Sequence, residues 1–158
     1  PTERPIAVGD LLKIDFGALF DGYHADCTRT FIVAADPADW QEQIHAVVAA
    51  AQQAGMEALA PGVSGQQVDA AARAVIQDAG YGEFYSHGLG HGVGLQIHEV
   101  PFLGPTSTNT VEARVPLTVE PGIYLPDRGG VRIEDTLVVF DHGVEILTDF
   151  PRDLARVG

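Results

Sequence analysis

Four acids and one histidine are placed where this chain could bind metal: Asp15, Asp26, His91, Glu120 and Glu134. Hard carboxylate oxygens with one imidazole nitrogen suit Mn, Co, Zn or Fe(II). Each residue lies in a segment that also constrains its backbone: Ile14-Asp15-Phe16-Gly17, Ala25-Asp26-Cys27-Thr28, His91-Gly92-Val93-Gly94, Val119-Glu120-Pro121-Gly122 and Arg132-Ile133-Glu134-Asp135. Asp15 stands among Leu12, Ile14 and Phe16, Glu120 follows Leu117-Thr118-Val119, and Glu134 interrupts two apolar runs. Acids are disfavoured in strands, and in apolar surroundings they repel one another unless cations neutralise them. Two divalent ions roughly 3.5 to 4 Å apart would answer that need, share a water, lower its pKa and hold the hydroxide beside a polarised carbonyl.

Other readings of single residues are blander. Asp10 and Asp21 read as turn residues. Glu134 has a structural alternative as an ion pair with Arg132, two positions away on the same strand face, or with an arginine elsewhere. His87 and His91 match the i, i+4 spacing of helical zinc sites, but glycines at 88, 90, 92 and 94 argue against a helix. The alternating glycines instead predict an extended segment with one bare face, open to close approach by another backbone, while His87, Leu89, His91 and Val93 share the other.

The elements that must position these residues follow from periodicity. Residues 10–33 read as a hairpin turning at Phe20-Asp21-Gly22, with Asp15 and Asp26 facing each other near its end. Asp36-Pro37-Ala38-Asp39 opens an amphipathic helix with proline at its first position, running to about Leu59 and stopped by Pro61-Gly62. Ser64 and Gln67 form a capping box for a second helix, with Val68, Ala71, Ala72, Val75 and Ile76 on one face and Gly80 at its end. Strand signals then cover residues 115–119, 130–140 and 145–147. Strands, two helices and more strands predict an α+β domain with helices covering one sheet face.

At 158 residues and 46% hydrophobic content the chain has the size of one domain with a real core. A net charge of -13 with only 9 Lys and Arg argues against nucleic acid. No apolar stretch approaches a membrane span, no signal-peptide pattern is expected at Pro1 to Asp10, and the segment before Gly9 reads as a loop. A single cysteine, Cys27, precludes an internal disulfide framework and fits a reducing cytoplasm.

From about Gly9 to its C-terminus the chain resembles the catalytic domain of the M24 metallopeptidases, in particular their Xaa-Pro aminopeptidase and Xaa-Pro dipeptidase (prolidase) branch. The resemblance rests on the aspartate pair, Gly90-His91-Gly92-Val93-Gly94-Leu95 followed by His98-Glu99, Glu120-Pro121-Gly122-Ile123-Tyr124, and Gly130-Val131-Arg132-Ile133-Glu134-Asp135. It implies the pita-bread fold, a curved antiparallel sheet covered by helices. It also implies two divalent ions, manganese first, with Asp15 on one, His91 and Glu120 on the other, and Asp26 and Glu134 bridging both. Glu120 is then the proton shuttle, His87 and His98 contact the scissile peptide or its tetrahedral intermediate, and Arg132 favours the proline-specific branch. The implied substrates are short peptides, and the implied assembly of the full-length enzyme is a homodimer. Family members carry a further segment upstream of the first aspartate, including an active-site histidine, and usually an N-terminal domain. The expectation is therefore that residues 1–158 are the C-terminal portion of the catalytic domain, lacking part of its N-terminal half. The alternatives are a methionine aminopeptidase, a non-catalytic peptide-binding module of the same fold, and a metal-free creatinase-like hydrolase.

Overall fold

The structure is a computed structural model that describes residues 3–158, so Pro1 and Thr2 of the expected leading loop lie outside the described residues. The chain runs β1 (Leu11–Phe16), β2 (Leu19–Phe20), β3 (Tyr23–His24), β4 (Cys27–Val33), α1 (Asp39–Glu57), α2 (Gly65–Asp78), a short 3-10 turn (Gly82–Phe84) and β5 (Gly90–Gly92). It continues through β6 (Glu99–Leu103), β7 (Pro116–Val119), β8 (Gly122–Leu125), β9 (Gly129–Arg132), β10 (Asp135–Phe140), β11 (Gly143–Ile146) and β12 (Arg156–Val157). One sheet has the order β1-β4-β12, another β11-β10-β7-β5-β6, with small ribbons β2-β3 and β8-β9. Pairing is antiparallel except where β12 lies parallel to β4.

The expected hairpin forms, but in two stages. β1 pairs with β4 and β2 with β3, while Ala25 donates to Ala18 O across the gap at 2.9 Å. Phe16 opposes Cys27 and Asp15 opposes Thr28, so Asp15 and Asp26 are diagonal neighbours rather than opposite partners. Gly17 is required at this break, because a Cβ there would lie 1.7 Å from Ala25 O.

Both helices form where the pattern places them, with one correction at the first cap. The N-cap is Ala38, so Pro37 lies before the helix rather than in its first turn, and Gln41 Oε1 accepts from Ala38 N–H at 2.8 Å. In α2 the capping box holds, with Ser64 Oγ accepting from Gln67 N–H at 3.2 Å. The helices pack on each other and on β6 to β9, and Ile44, Val48, Val68, Ala72 and Ile76 meet Leu117, Val119, Ile133 and Leu137 in one core. The long strand read over 130–140 is broken at Ile133-Glu134, where Glu134 forms only an isolated bridge with Thr28. That break turns the Glu134 carboxylate into the gap between β4 and β10.

A buried ionic network fastens this gap. Arg29 in β4 reaches Asp135 Oδ1 at 2.6 Å and also donates to Thr28 O, Glu134 O, Phe150 O and Pro151 O. Asp135 Oδ2 accepts from Gln52 of α1 at 2.9 Å and from Arg152 at 2.6 Å. With every oxygen of the carboxylate bonded, the pair satisfies the condition under which a buried charge is tolerated.

Candidate metal centre

Five separate elements deliver the expected residues to one cleft of about 610 Å³, lined among others by Asp15, Asp26, His91, Glu120 and Glu134. Asp15 comes from β1, Asp26 from the turn into β4, His91 from β5, Glu120 from the end of β7 and Glu134 from the β9–β10 break. One ligand atom each from Asp26, His91 and Glu134 lies within 4.8 Å of the others. Glu120 joins them through His91, whose Nε2 is 3.2 Å from Glu120 Oε1 and 3.7 Å from Asp26 Oδ2. Asp15 sits at the open edge, its side chain 48% exposed, and pairs with Arg132. Its strand is apolar in sequence, and among the described residues β1 is the edge of its sheet, with Ile14 and Phe16 exposed.

The electrostatics ask for cations. Burial, then the charge of Glu120, pushes the Glu134 carboxyl up to about 8, although Thr28 donates to it at 2.6 Å. Burial and the neighbouring Asp15 charge also raise Asp26. Burial opposes charge on His91, but its hydrogen bond to Glu120 and the acidic neighbours outweigh it and raise its pKa. Burial likewise opposes charge on Glu120, whose carboxyl is nonetheless held below the ordinary range by His91 and Arg132. Within the chain, the Arg132 guanidinium beside Asp15 and Glu120 offsets part of this negative charge.

His91 is also prepared as a ligand. The Gly92 carbonyl 3.0 Å from Nδ1 can only accept, so Nδ1 carries the proton and Nε2 presents its lone pair to the acids when the ring is neutral. The grouped donor atoms of Asp26, His91 and Glu134 therefore fit a divalent cation in atom type.

The remaining expected residues, His87, His98 and Arg132, also lie at the cleft. Burial depresses the His87 pKa, and its Nδ1 faces Gly88 O at 2.7 Å while Nε2 faces the Tyr124 hydroxyl at 2.8 Å. Neutral His87 thus donates through Nδ1 and accepts through Nε2, leaving neither nitrogen free for a substrate in this arrangement. His98 is exposed, its ring packed edge-on against His91 with centroids 4.5 Å apart. Arg132 does not pair with Glu134: its Nη2 goes to Asp15, Nη1 donates to Tyr124 Oη at 3.3 Å, and Nε donates to Thr28 Oγ1 at 3.1 Å.

The glycine-rich segment is extended, as expected, and Gly90 packs so closely that a Cβ would lie 2.0 Å from Thr118 O. Its other face is not uniform. Leu89 enters the core while His87 and His91 line the cleft, and pairing shifts register between His91 and Gly92. Strict alternation fails because only Gly90–Gly92 is paired as a strand.

Four contributors went unread in the sequence. Thr28 donates to Glu134, Thr118 Oγ1 donates to Glu120 Oε1 at 3.1 Å and accepts from His91 N–H at 3.1 Å, Tyr124 joins His87 to Arg132, and Lys13 Nζ lies 5.4 Å from the Tyr124 ring centre. A signal existed for three of them: Lys13, Thr28 and Thr118 each stand two residues from an expected ligand, the spacing that shares a strand face.

A second cavity of about 760 Å³ adjoins Asp26 and is lined by Phe16, Tyr23, Cys27, Val93, Leu95 and their neighbours. Around it Phe16, Leu19, Phe20 and Tyr23 are exposed. Burial pushes the Cys27 thiol up to about 11, so it is a neutral wall residue.

Comparison with known proteins adds an independent line. The chain matches metallopeptidase family M24 over residues 1–141. It is 42% identical over 153 residues to the Xaa-Pro dipeptidase of Pyrococcus furiosus, covering 97% of this chain and 44% of that protein. Among solved structures, the prolidase from Pyrococcus horikoshii OT3 superposes with a TM-score of 0.92 at 40% identity, over 97% of this chain and 44% of the other. The X-Pro aminopeptidase from Thermotoga maritima MSB8 superposes with a TM-score of 0.94 at 40% identity, over 99% and 44% respectively. The chain thus spans less than half the length of the relatives it matches.

Proposed function

The chain belongs to metallopeptidase family M24, and from that premise we propose that residues 1–158 carry the catalytic metal centre of an exopeptidase that hydrolyses the bond preceding proline in short peptides. The observation that carries this reading is the meeting of Asp15, Asp26, His91, Glu120 and Glu134 in one cleft, from positions far apart in the chain. Asp15, with His91 and Glu120, would hold two divalent ions, manganese first, bridged by Asp26 and Glu134. Bound there, the ions would supply an activated water and a Lewis acid to polarise the scissile carbonyl.

The chain's own groups do the rest. Glu120 Oε1 is tied to Thr118 and His91, and Oε2, which faces Arg132 Nε only at 3.9 Å, is the oxygen that takes the water proton and passes it to the leaving amine. His87 keeps its ring neutral and holds the Tyr124 hydroxyl in place. His98 stands exposed at the rim and is the histidine that meets the peptide. Arg132 serves the substrate side once Asp15 no longer needs its charge. The nitrogen of an Xaa-Pro bond carries no hydrogen, so recognition must rest on pocket shape and these polar groups rather than on an amide donor.

Dipeptidase and aminopeptidase remain two forms of this reading, since a prolidase and an X-Pro aminopeptidase superpose about equally well. The test is metal analysis of the full natural protein with turnover of an Xaa-Pro dipeptide, an Xaa-Pro-Xaa tripeptide and a Met-initiated peptide. Two bound ions and cleavage before proline are expected, with the faster substrate choosing between the forms. Stoichiometric metal with preference for the Met-initiated peptide would overturn the proline assignment in favour of a methionine aminopeptidase.

A further inference from the structure

We infer that the Asp69–Arg73 ion pair of α2 is a positioning device for the metal cleft, holding His87 and Glu120 in register through the backbone of residues 85–89. Arg73 clasps Asp69 through Nε at 2.8 Å and Nη2 at 2.9 Å, one helical turn apart. The same guanidinium donates to Tyr85 O at 3.0 Å and to His87 O at 2.8 Å, and lies 4.1 Å from the Tyr85 ring centre. Asp69 Oδ1 in turn accepts from Leu89 N–H at 3.1 Å.

These bonds fall on alternate residues 85, 87 and 89, the pattern a neighbouring strand would provide. No named strand covers that stretch, since β5 begins at Gly90. Two charged side chains of a helix therefore stand in for the missing strand edge, and Asp69 is fully buried to do so. A neutral side chain could satisfy single carbonyls; the planar fork fixes two of them together with the carboxylate that holds the next position, Leu89.

The grip reaches the cleft along two routes. His87 is held by its own carbonyl, and its ring then meets Tyr124. Leu89 O accepts from Glu120 N–H at 2.7 Å, so the same segment sets the height of Glu120. On the far side Gly88 lies against Leu103, where a Cβ would be 2.6 Å from Leu103 O, so the segment is clamped from both faces. The Tyr85 hydroxyl is the buried side-chain polar atom left without a partner among the described residues, so Tyr85 contributes its carbonyl and ring face, not its hydroxyl, to this hold.

This inference rests on the proposed roles of His87 and Glu120, and its test separates the two. Arg73→Lys keeps the charge facing Asp69 but not the fork, whereas Arg73→Gln loses both. In the full natural protein, Arg73→Gln should lower both the unfolding midpoint and kcat on an Xaa-Pro substrate. Arg73→Lys should recover most of the stability, yet leave kcat roughly tenfold to a hundredfold down, with KM and bound metal little changed. In the metal-free protein the His87 imidazole ¹⁵N resonances, assigned through His87→Gln, should move in both variants, while those of His142 stay fixed. If kcat and the His87 resonances follow stability and return together in Arg73→Lys, the pair is only a structural brace and the inference fails. If the unmutated protein does not cleave Xaa-Pro bonds, the functional reading falls, and the His87 resonances alone decide the positioning.

Discussion

Glu134 carries the greatest electrostatic burden of any residue in the cleft. Its carboxyl rises from an ordinary 4.5 to about 8. The folded, metal-free protein therefore keeps a proton that the unfolded chain releases above about 4.5. This contribution is fully present below that pH and is lost as pH climbs through about 8. Thermal unfolding in chelator should show stability falling between those limits, and Glu134→Gln should flatten the fall; parallel curves would contradict the assignment. Added divalent ion should reverse the loss most strongly near the upper limit, because ions bind deprotonated ligands. For Glu120, the proposed proton carrier, Glu120→Gln should cut kcat roughly 10²- to 10⁴-fold. A full-rate Glu120→Gln enzyme would move the shuttle elsewhere.

At the scale of elements, the cleft depends on how closely β5 approaches β7. Gly90 has no room for a side chain, since a Cβ on its backbone would lie 2.0 Å from Thr118 O. Gly90→Ala must push β7 away, and with it Thr118, which bonds both His91 and Glu120. Overpacking of this kind costs about 1–3 kcal/mol. Denaturant unfolding should read that loss, and ion affinity should weaken with it, since two proposed ligands lose their common threonine. Unchanged ion affinity in a destabilised Gly90→Ala protein would separate the strand contact from the metal centre.

On the scale of the whole molecule, two ionic networks join the two helices to the cleft. α2 grips the segment of His87 through Asp69 and Arg73. α1 reaches Asp135 through Gln52, and Asp135 with Arg29 ties β4, β10 and the C-terminal segment together beside Glu134. Asp135→Ala leaves Arg29 buried without its partner, and such breaks cost about 3–5 kcal/mol. The unfolding midpoint should drop accordingly, and saturating divalent ion should restore part of it through binding to the folded state. A midpoint indistinguishable from that of the unmutated protein would show that the network is dispensable. The acidic net charge of -13 belongs to this scale too, since bound ions would offset part of it.

The sequence by itself determined the identities of the five cleft residues, both helices, the close approach at the alternating glycines and the family. These are legible because acids inside apolar strands, capping boxes and glycine spacing are local signals with a local physical cause. Only the tertiary structure decided how the residues share the work. It set Asp15 diagonal to Asp26, engaged both nitrogens of His87, gave Arg132 to Asp15 and Tyr124 instead of Glu134, and brought Thr28, Thr118 and α2 into the support of the cleft. Strand register, a break at Ile133-Glu134 and the Glu134 carbonyl that Arg29 reaches from far back in the chain are products of packing, and no short stretch of residues encodes them.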